Sequence, residues 1–205
     1  MNIKNVYDSG ASNDLEKIEL CQSGNSEAFS FLVEKYKNMV YQLALRLTGN
    51  YHDSEDIAQE SFLKAYHSLH QFNPSYSFSS WLYKITLNTI RDRARKKNLD
   101  LAQSFSQQED DFPEQETANT RPLFSGDSEF ATNPEEWQVR QENQQAIQTA
   151  INALPLPQKE IIILRHLQNL SYYEIAQILH IPLNSVKVRL HRARTQLKTL
   201  LEELK

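Results

Sequence analysis

The sequence of 205 residues is poor in the parts from which sheets, crosslinks and membrane spans are built. Only four glycines occur, few for the left-handed positions that tight hairpins demand. The β-branched residues are scattered rather than gathered into alternating runs. Together these favour an all-α chain. The single cysteine, Cys21, excludes an intramolecular disulfide, and no second thiol stands at a metal-ligand spacing. No stretch approaches the ~18 apolar residues of a membrane span, and the first residues lack the apolar core of a secretory leader. A cytoplasmic protein without membrane insertion is the expectation. Catalytic groupings are equally scarce. His67 and His70 share a helix face but lack a third ligand, and no Ser/His or Cys/His arrangement is evident. No enzyme activity, metal or cofactor is expected.

What is present is strongly segregated charge. The formal net charge of −4 hides two cationic patches. From Lys84 to Lys97 there are six Lys or Arg and one acid, Asp92; from Asn184 to Lys198 there are five and no acid. Between them, from Asn98 to Glu136, ten acids face a single Arg121. Such blocks carry more information than their sum. The acidic stretch is rich in Gln, Ser, Asn and Pro and lacks sustained periodicity, so it reads as a flexible acidic linker. Its random-coil span is on the order of 35 Å, about one turn of DNA.

The chain thus divides into residues 1–25, a short polar tail and the start of the first helix, then a helical domain at 26–97, the linker at 98–135, and a second helical domain at 136–205. In the first domain, Phe29, Leu32, Val33, Tyr36, Val40, Leu43 and Leu47 recur at helical spacing, and Gly49 follows as a stop. The next helix is expected to begin with Asp53 as its cap and to bury Ala58, Phe62, Ala65 and Leu69. Pro74 interrupts, and a Ser-capped helix then ends in the first basic patch. In the second domain an amphipathic helix is stopped by Pro155 and Pro157, and a largely buried helix follows. Ser171 and Glu174 have the spacing of a capping box. A four-residue break then leads to the second basic helix, the arrangement of a helix-turn-helix.

On an ideal helical wheel Val186, Leu190, Ala193 and Leu197 fall within roughly 60° of one another and form the core stripe. Val188 is nearly opposite, with Asn184, His191 and Arg192 beside it and Lys187 nearer the edge. Arg189 lies on one flank, Arg194 and Lys198 on the other. Asn184 suits the cap. No acid stands at i±4 from Lys187, Arg189, Arg192 or Arg194, as a face built for solubility would carry. That layout suits a helix in a major groove, with outward side chains near its N-terminus at base edges and flanking cations at phosphates. The first patch, with Phe72, Tyr76, Phe78 and Trp81 just before it, has the mix of aromatics and cations that holds unpaired bases. For Trp81, core packing is the better reading.

The segments "DSEDIAQESFLKAYHSLHQF", "FSSWLYKITLNTIRDRARKK" and "LSYYEIAQILHIPLNSVKVRLHRAR" resemble the signature blocks of bacterial extracytoplasmic-function (ECF) RNA polymerase sigma factors. The resemblance implies sigma domain 2, a linker without domain 3, and sigma domain 4. It implies binding to core RNA polymerase, at its clamp coiled coil and flap, recognition of −35 and −10 promoter elements, and opening of promoter DNA. Residue by residue, it implies that Asp56, Gln59, Glu60 and Phe62 contact the polymerase. Phe72 and Asn88 match a pocket for an unpaired −10 base, and Arg91, Arg93, Arg95 and Lys96 match the −10 backbone grip. In the last helix Ser185, Lys187, Val188, Arg189, His191, Arg192 and Arg194 fall on the −35-reading segment. An anti-sigma factor is implied as a regulatory partner.

One departure stands out. The family's last helix commonly opens GTVKSR, and this chain has NSVKVR. Val188 replaces a hydroxyl with an apolar group suited to a thymine methyl, so the preferred −35 element is expected to differ from that of Ser-bearing relatives. Two other readings share these features: a two-domain regulator with a helix-turn-helix, and a sigma-like decoy that sequesters an anti-sigma factor. Dependence on core polymerase separates the first from a sigma factor. Both cationic patches argue against the second, because a decoy does not need them.

Overall fold

The computed structural model describes residues 4–105 and 134–203. No strand occurs among them, and they belong to two compact units divided after Glu116. Unit 1 contains α1 (Lys4–Gln22), α2 (Glu27–Thr48), α3 (Tyr51–Ser68), a 3-10 turn (Leu69–Gln71) and α4 (Phe78–Phe105). Unit 2 contains α5 (Pro134–Ala153), α6 (Leu156–Ile162) continued by a π turn (Ile163–Leu167), α7 (Tyr172–Leu179) and α8 (Leu183–Glu203).

In unit 1 the apolar stripe of α2 packs against α1, α3 and α4. Leu32, Val40 and Leu43 are fully buried, with Ile57, Ala65, Leu82 and Leu87 from α3 and α4. Each such leucine contributes roughly 1.5–3 kcal/mol. Gly49 ends α2 at φ 71°, its N–H bonded to the Leu45 carbonyl at 2.8 Å. That left-handed position is one a glycine takes without a steric penalty.

Four local expectations need correction. Where a short polar tail and the start of the first helix are expected, Lys4–Gln22 form one helix, α1, whose Ile18 and Asp14 are buried against α2, with Asp14 accepting from Tyr36 Oη and from Lys35 Nζ. This environment raises the Tyr36 phenol far above its ordinary range, chiefly by burial and then by its bond to Asp14. The cap of α3 is Asn50, whose Oδ1 accepts the Asp53 N–H at 3.0 Å, so Asp53 sits inside the first turn. A negative side chain there still favours the helix dipole. Helix α4 is capped by Ser77, whose Oγ accepts the Ser80 N–H at 3.2 Å, and it continues past the basic patch to Phe105. The beginning of the expected linker is therefore helical, and residues 106–133 lie outside the described residues.

The fourth correction concerns α8. It begins at Leu183, and Pro182 rather than Asn184 supplies the first acceptor, its carbonyl receiving the N–H groups of Ser185 (2.8 Å) and Val186 (3.2 Å). The core of unit 2 forms where α5, α6 and α7 converge on α8, burying Ile161, Leu164, Ile175, Ile178, Val186, Leu190 and Ala193. Leu197, the last of the predicted stripe, is half-buried.

Candidate nucleic-acid interface

The helix-turn-helix is assembled from local chemistry. Ser171 Oγ accepts the Glu174 N–H at 3.2 Å while Glu174 Oε2 accepts the Ser171 N–H at 2.7 Å. This capping box fixes the start of α7, as its spacing predicts. At the other end His180 adopts φ 53°, the left-handed stop normally filled by Gly or Asn. The turn 180–182 then redirects the chain into α8. Arg165, on the π turn, steadies the entry to α7: its Nη1 donates to the Leu170 carbonyl at 2.8 Å, and its guanidinium lies 5.0 Å from the Tyr172 ring centroid.

Burial of Val186, Leu190 and Ala193 sets the rotation of α8. Lys187, Val188, Arg189, His191, Arg192 and Arg194 are consequently all exposed, and Ser185 is half-buried. Val188 leaves 49% of its surface in solvent, high for an aliphatic side chain. Lys187, Arg189 and Arg192 make no ion pair among the described residues; Lys198 pairs with Glu202 at 3.7 Å, near the far end of the helix. The N-terminal half of α8 is an uncompensated cationic face with an apolar point at its centre. Arg194 stands apart, donating to His166 of the π turn.

Unit 1 treats its cations differently. Arg93 of α4 lies among three carboxylates of α3: Asp56 at 3.3 Å, Glu60 at 3.4 Å and Asp53 at 3.8 Å. Lys64 extends the ladder, reaching Glu60 at 2.8 Å, Asp92 at 3.8 Å and Thr89 Oγ1 at 3.2 Å. The Glu60 carboxyl is held below its ordinary value, first by the hydrogen bond from Lys64, which burial opposes, and then by the charges of Lys64 and Arg93. Arg95 pairs with Asp92 of its own helix at 3.6 Å, and Arg91 donates to Asn88 Oδ1 at 3.2 Å. Lys96 and Lys97 are exposed and make no ion pair among the described residues. Residues expected to serve two partners are thus joined: Arg93 from the DNA set, Asp56 and Glu60 from the polymerase set. Sequence reasoning missed this ladder. The i, i+3, i+4 spacing of Asp53, Asp56, Glu60 and Lys64 was the available signal.

The two phenylalanines assigned to binding lie inside. Phe62 is 9% exposed and meets the Phe29 ring edge-on at 6.5 Å. It holds α3 against α2 and offers a partner almost no surface. Phe72 is 8% exposed and packs with Phe78 and Trp81 at ring separations of 5.9 and 5.4 Å. Gln59 and Asn88, by contrast, are exposed. Of the loop aromatics, Tyr76 is the one substantially in solvent. A cleft of about 210 Å³ opens between α1, at Asp14, Leu15 and Ile18, and the segment of Phe72, Pro74, Tyr76 and Phe78. His67 and His70 are exposed, and no group of three potential metal-ligating side chains occurs among the described residues. No helix among the described residues is long and apolar enough to cross a membrane.

Comparison with known proteins agrees with this layout. The sigma-70 region 2 family matches residues 32–99, and the sigma-70 region 4 family matches residues 144–197. The ECF RNA polymerase sigma factor SigW of Bacillus subtilis is 37% identical over 191 residues, covering 92% of this chain and 97% of that protein. Among solved structures, CnrH in complex with the cytosolic domain of CnrY aligns with a TM-score of 0.63 at 24% identity, over 93% of this chain and 98% of that one. The sigma factor RpoE of Bartonella quintana, in complex with the anti-sigma factor NepR, gives the same TM-score at 22% identity, over 85% and 96%. With both regions present in order, and more than a third of the residues shared with a relative along nearly its whole length, the chain belongs to the ECF RNA polymerase sigma factors.

Proposed function

We propose that this sigma factor directs core RNA polymerase to promoters by a division of labour between its units. Unit 1 docks on the polymerase through the exposed side of α3, with Asp56, Gln59 and Glu60 foremost, and meets the −10 element through Asn88, Arg91, Arg95 and Lys96 of α4. Arg93 braces α4 to α3, so that the polymerase-facing and DNA-facing helices move as one body. Phe62 and Phe72 act from within, by fixing α3 and the segment that follows it. Unit 2 reads the −35 element with Lys187, Val188, His191 and Arg192, while Ser185, Arg189 and Arg194 serve the flanking backbone. The protein works in the cytoplasm, catalyses no covalent step, and takes its regulatory partner from the anti-sigma class, the class of the protein bound to RpoE of Bartonella quintana.

The observation that carries this reading is the face of α8, where exposed cations without ionic partners surround an exposed valine. A face of that kind is complementary to phosphates and a thymine methyl. Run-off transcription on a promoter library, with core enzyme alone and with this chain added, tests it. Specific transcripts are expected only with the chain; their absence would overturn the reading. Binding-site selection with the Val188→Ser variant sharpens it, since the preferred −35 sequence is expected to change at one position while affinity for flanking backbone is kept.

A further inference from the structure

Arg194, on the cationic flank of α8, meets His166 of the π turn, and the chemistry of the contact is restrictive. Arg194 Nε and Nη2 both approach His166 Nε2, at 3.3 and 3.1 Å. A guanidinium has donors and no acceptor. Nε2 must therefore present a lone pair, which requires a neutral ring with its proton on Nδ1. The charged groups acting on this ring are Arg194 from α8 and Arg165 of its own turn, both cations. With partial burial they push the imidazole below its ordinary value, burial being the largest cause. Protonation would remove the acceptor and set a third positive charge beside two others.

We propose that neutral His166 is a positioning residue for Arg194, holding its guanidinium in place for a backbone phosphate beside the −35 element. The hydrogen bonds use two donors on one edge of the guanidinium and leave the others for an anion. An arginine fixed before contact loses less freedom on binding than one swinging on its stem. The π turn makes the contact geometrically available, because it ends α6 with Arg165 and His166 adjacent, the first holding the entry to α7 and the second reaching α8. The inference rests on the assignment of α8 to −35 DNA.

The test uses the full chain assembled with core polymerase and a promoter duplex selected by that parent holoenzyme from a library randomised at the −35 element. Equilibrium affinity is read at about pH 7.5 and in steps downward through the lowered titration of His166, as far as the parent complex stays folded, and across a salt series. At the higher pH, His166→Ala and Arg194→Ala are each expected to weaken binding about 10-fold, as for loss of one charge-assisted contact. Each should reduce the salt slope by about 1. The double variant should be no worse than either single one. His166→Gln, whose amide oxygen accepts without titrating, should bind like the parent. On acidification the parent should fall toward the level of His166→Ala while His166→Gln holds. Thermal melts of each variant exclude simple unfolding. Losses that multiply in the double variant, or a parent and His166→Gln that weaken together on acidification, would overturn the proposal. Arg192→Ala separates the two layers: if it and Arg194→Ala are both silent, the assignment of α8 itself fails. If they weaken binding and the His166 variants do not, the positioning role alone is lost.

Discussion

The two cationic helices of this sigma factor, α4 and α8, look alike in composition and differ in how their charge is used. On α4, Arg93 is enclosed by three carboxylates of the neighbouring helix, and Arg95 by one of its own. On α8, Lys187, Arg189 and Arg192 face solvent with no ionic partner among the described residues. Net charge along a sequence therefore overstates the free charge of one patch and describes the other well. An arginine already neutralised by protein releases fewer counterions when it meets DNA. Cross-helix pairing converts part of the first patch from a binding surface into a strut.

Substitutions can break this comparison, and the largest effect belongs to α8. Arg192→Ala should weaken −35 binding of the holoenzyme by about 1–3 kcal/mol and leave the melting of the chain unchanged. A lowered melting temperature with intact binding would make Arg192 a structural residue. Next comes the strut. Arg93→Ala should destabilise unit 1 by at most about 1 kcal/mol, because its pairs are partly solvated, and should change promoter affinity less than Lys96→Ala. If Arg93→Ala proves the worse of the two in binding at equal stability, the arginine grips DNA after all.

Each unit also offers a local feature whose substitution can be read as stability. His180→Gly should stabilise unit 2 by about 0.5–1 kcal/mol, by relieving a left-handed backbone at a helix stop. Ser61→Ala should be neutral or stabilise unit 1 by about 0.5 kcal/mol, since Ser61 Oγ is fully buried without a hydrogen-bond partner. Chemical denaturation of each variant reads both values, and a loss in either case contradicts the account given of that site. The smallest effect is that of pH on the ladder. The Glu60 carboxyl is lowered in the folded chain, so its contribution is complete above the ordinary carboxylate value and is lost as pH falls through the lowered one. Glu60→Gln should flatten that part of the acid-stability curve of unit 1, and an unchanged curve would show that the pair contributes nothing.

Much of this was legible in one dimension because helices report themselves locally. The spacing of Val186, Leu190 and Ala193 gave the rotation of α8, and with it the outward direction of Val188 and Arg192. Ser171 and Glu174 announced the start of α7, and Gly49 the end of α2. Where local signals competed, the reading slipped. Asn50 and Asp53 are both good caps, and only the geometry of the turn chose Asn50. Residues 1–25 read as a tail followed only by the start of a helix because their few apolar side chains do not form a long stripe, yet Ile18 and the bonds of Asp14 tie α1 to α2.

The sequence by itself determined the all-α architecture, the helix-turn-helix, the segregation of charge and the exposed face of α8, because periodicity and capping act within a few residues of chain. Only the tertiary structure decided that Phe72 is interior, that Arg93 is engaged by α3, and that His166 meets Arg194. The last two facts depend on residues 28 to 40 positions apart being brought within hydrogen-bond or ion-pair distance. No local pattern encodes such a distance; the packing of one helix on another does.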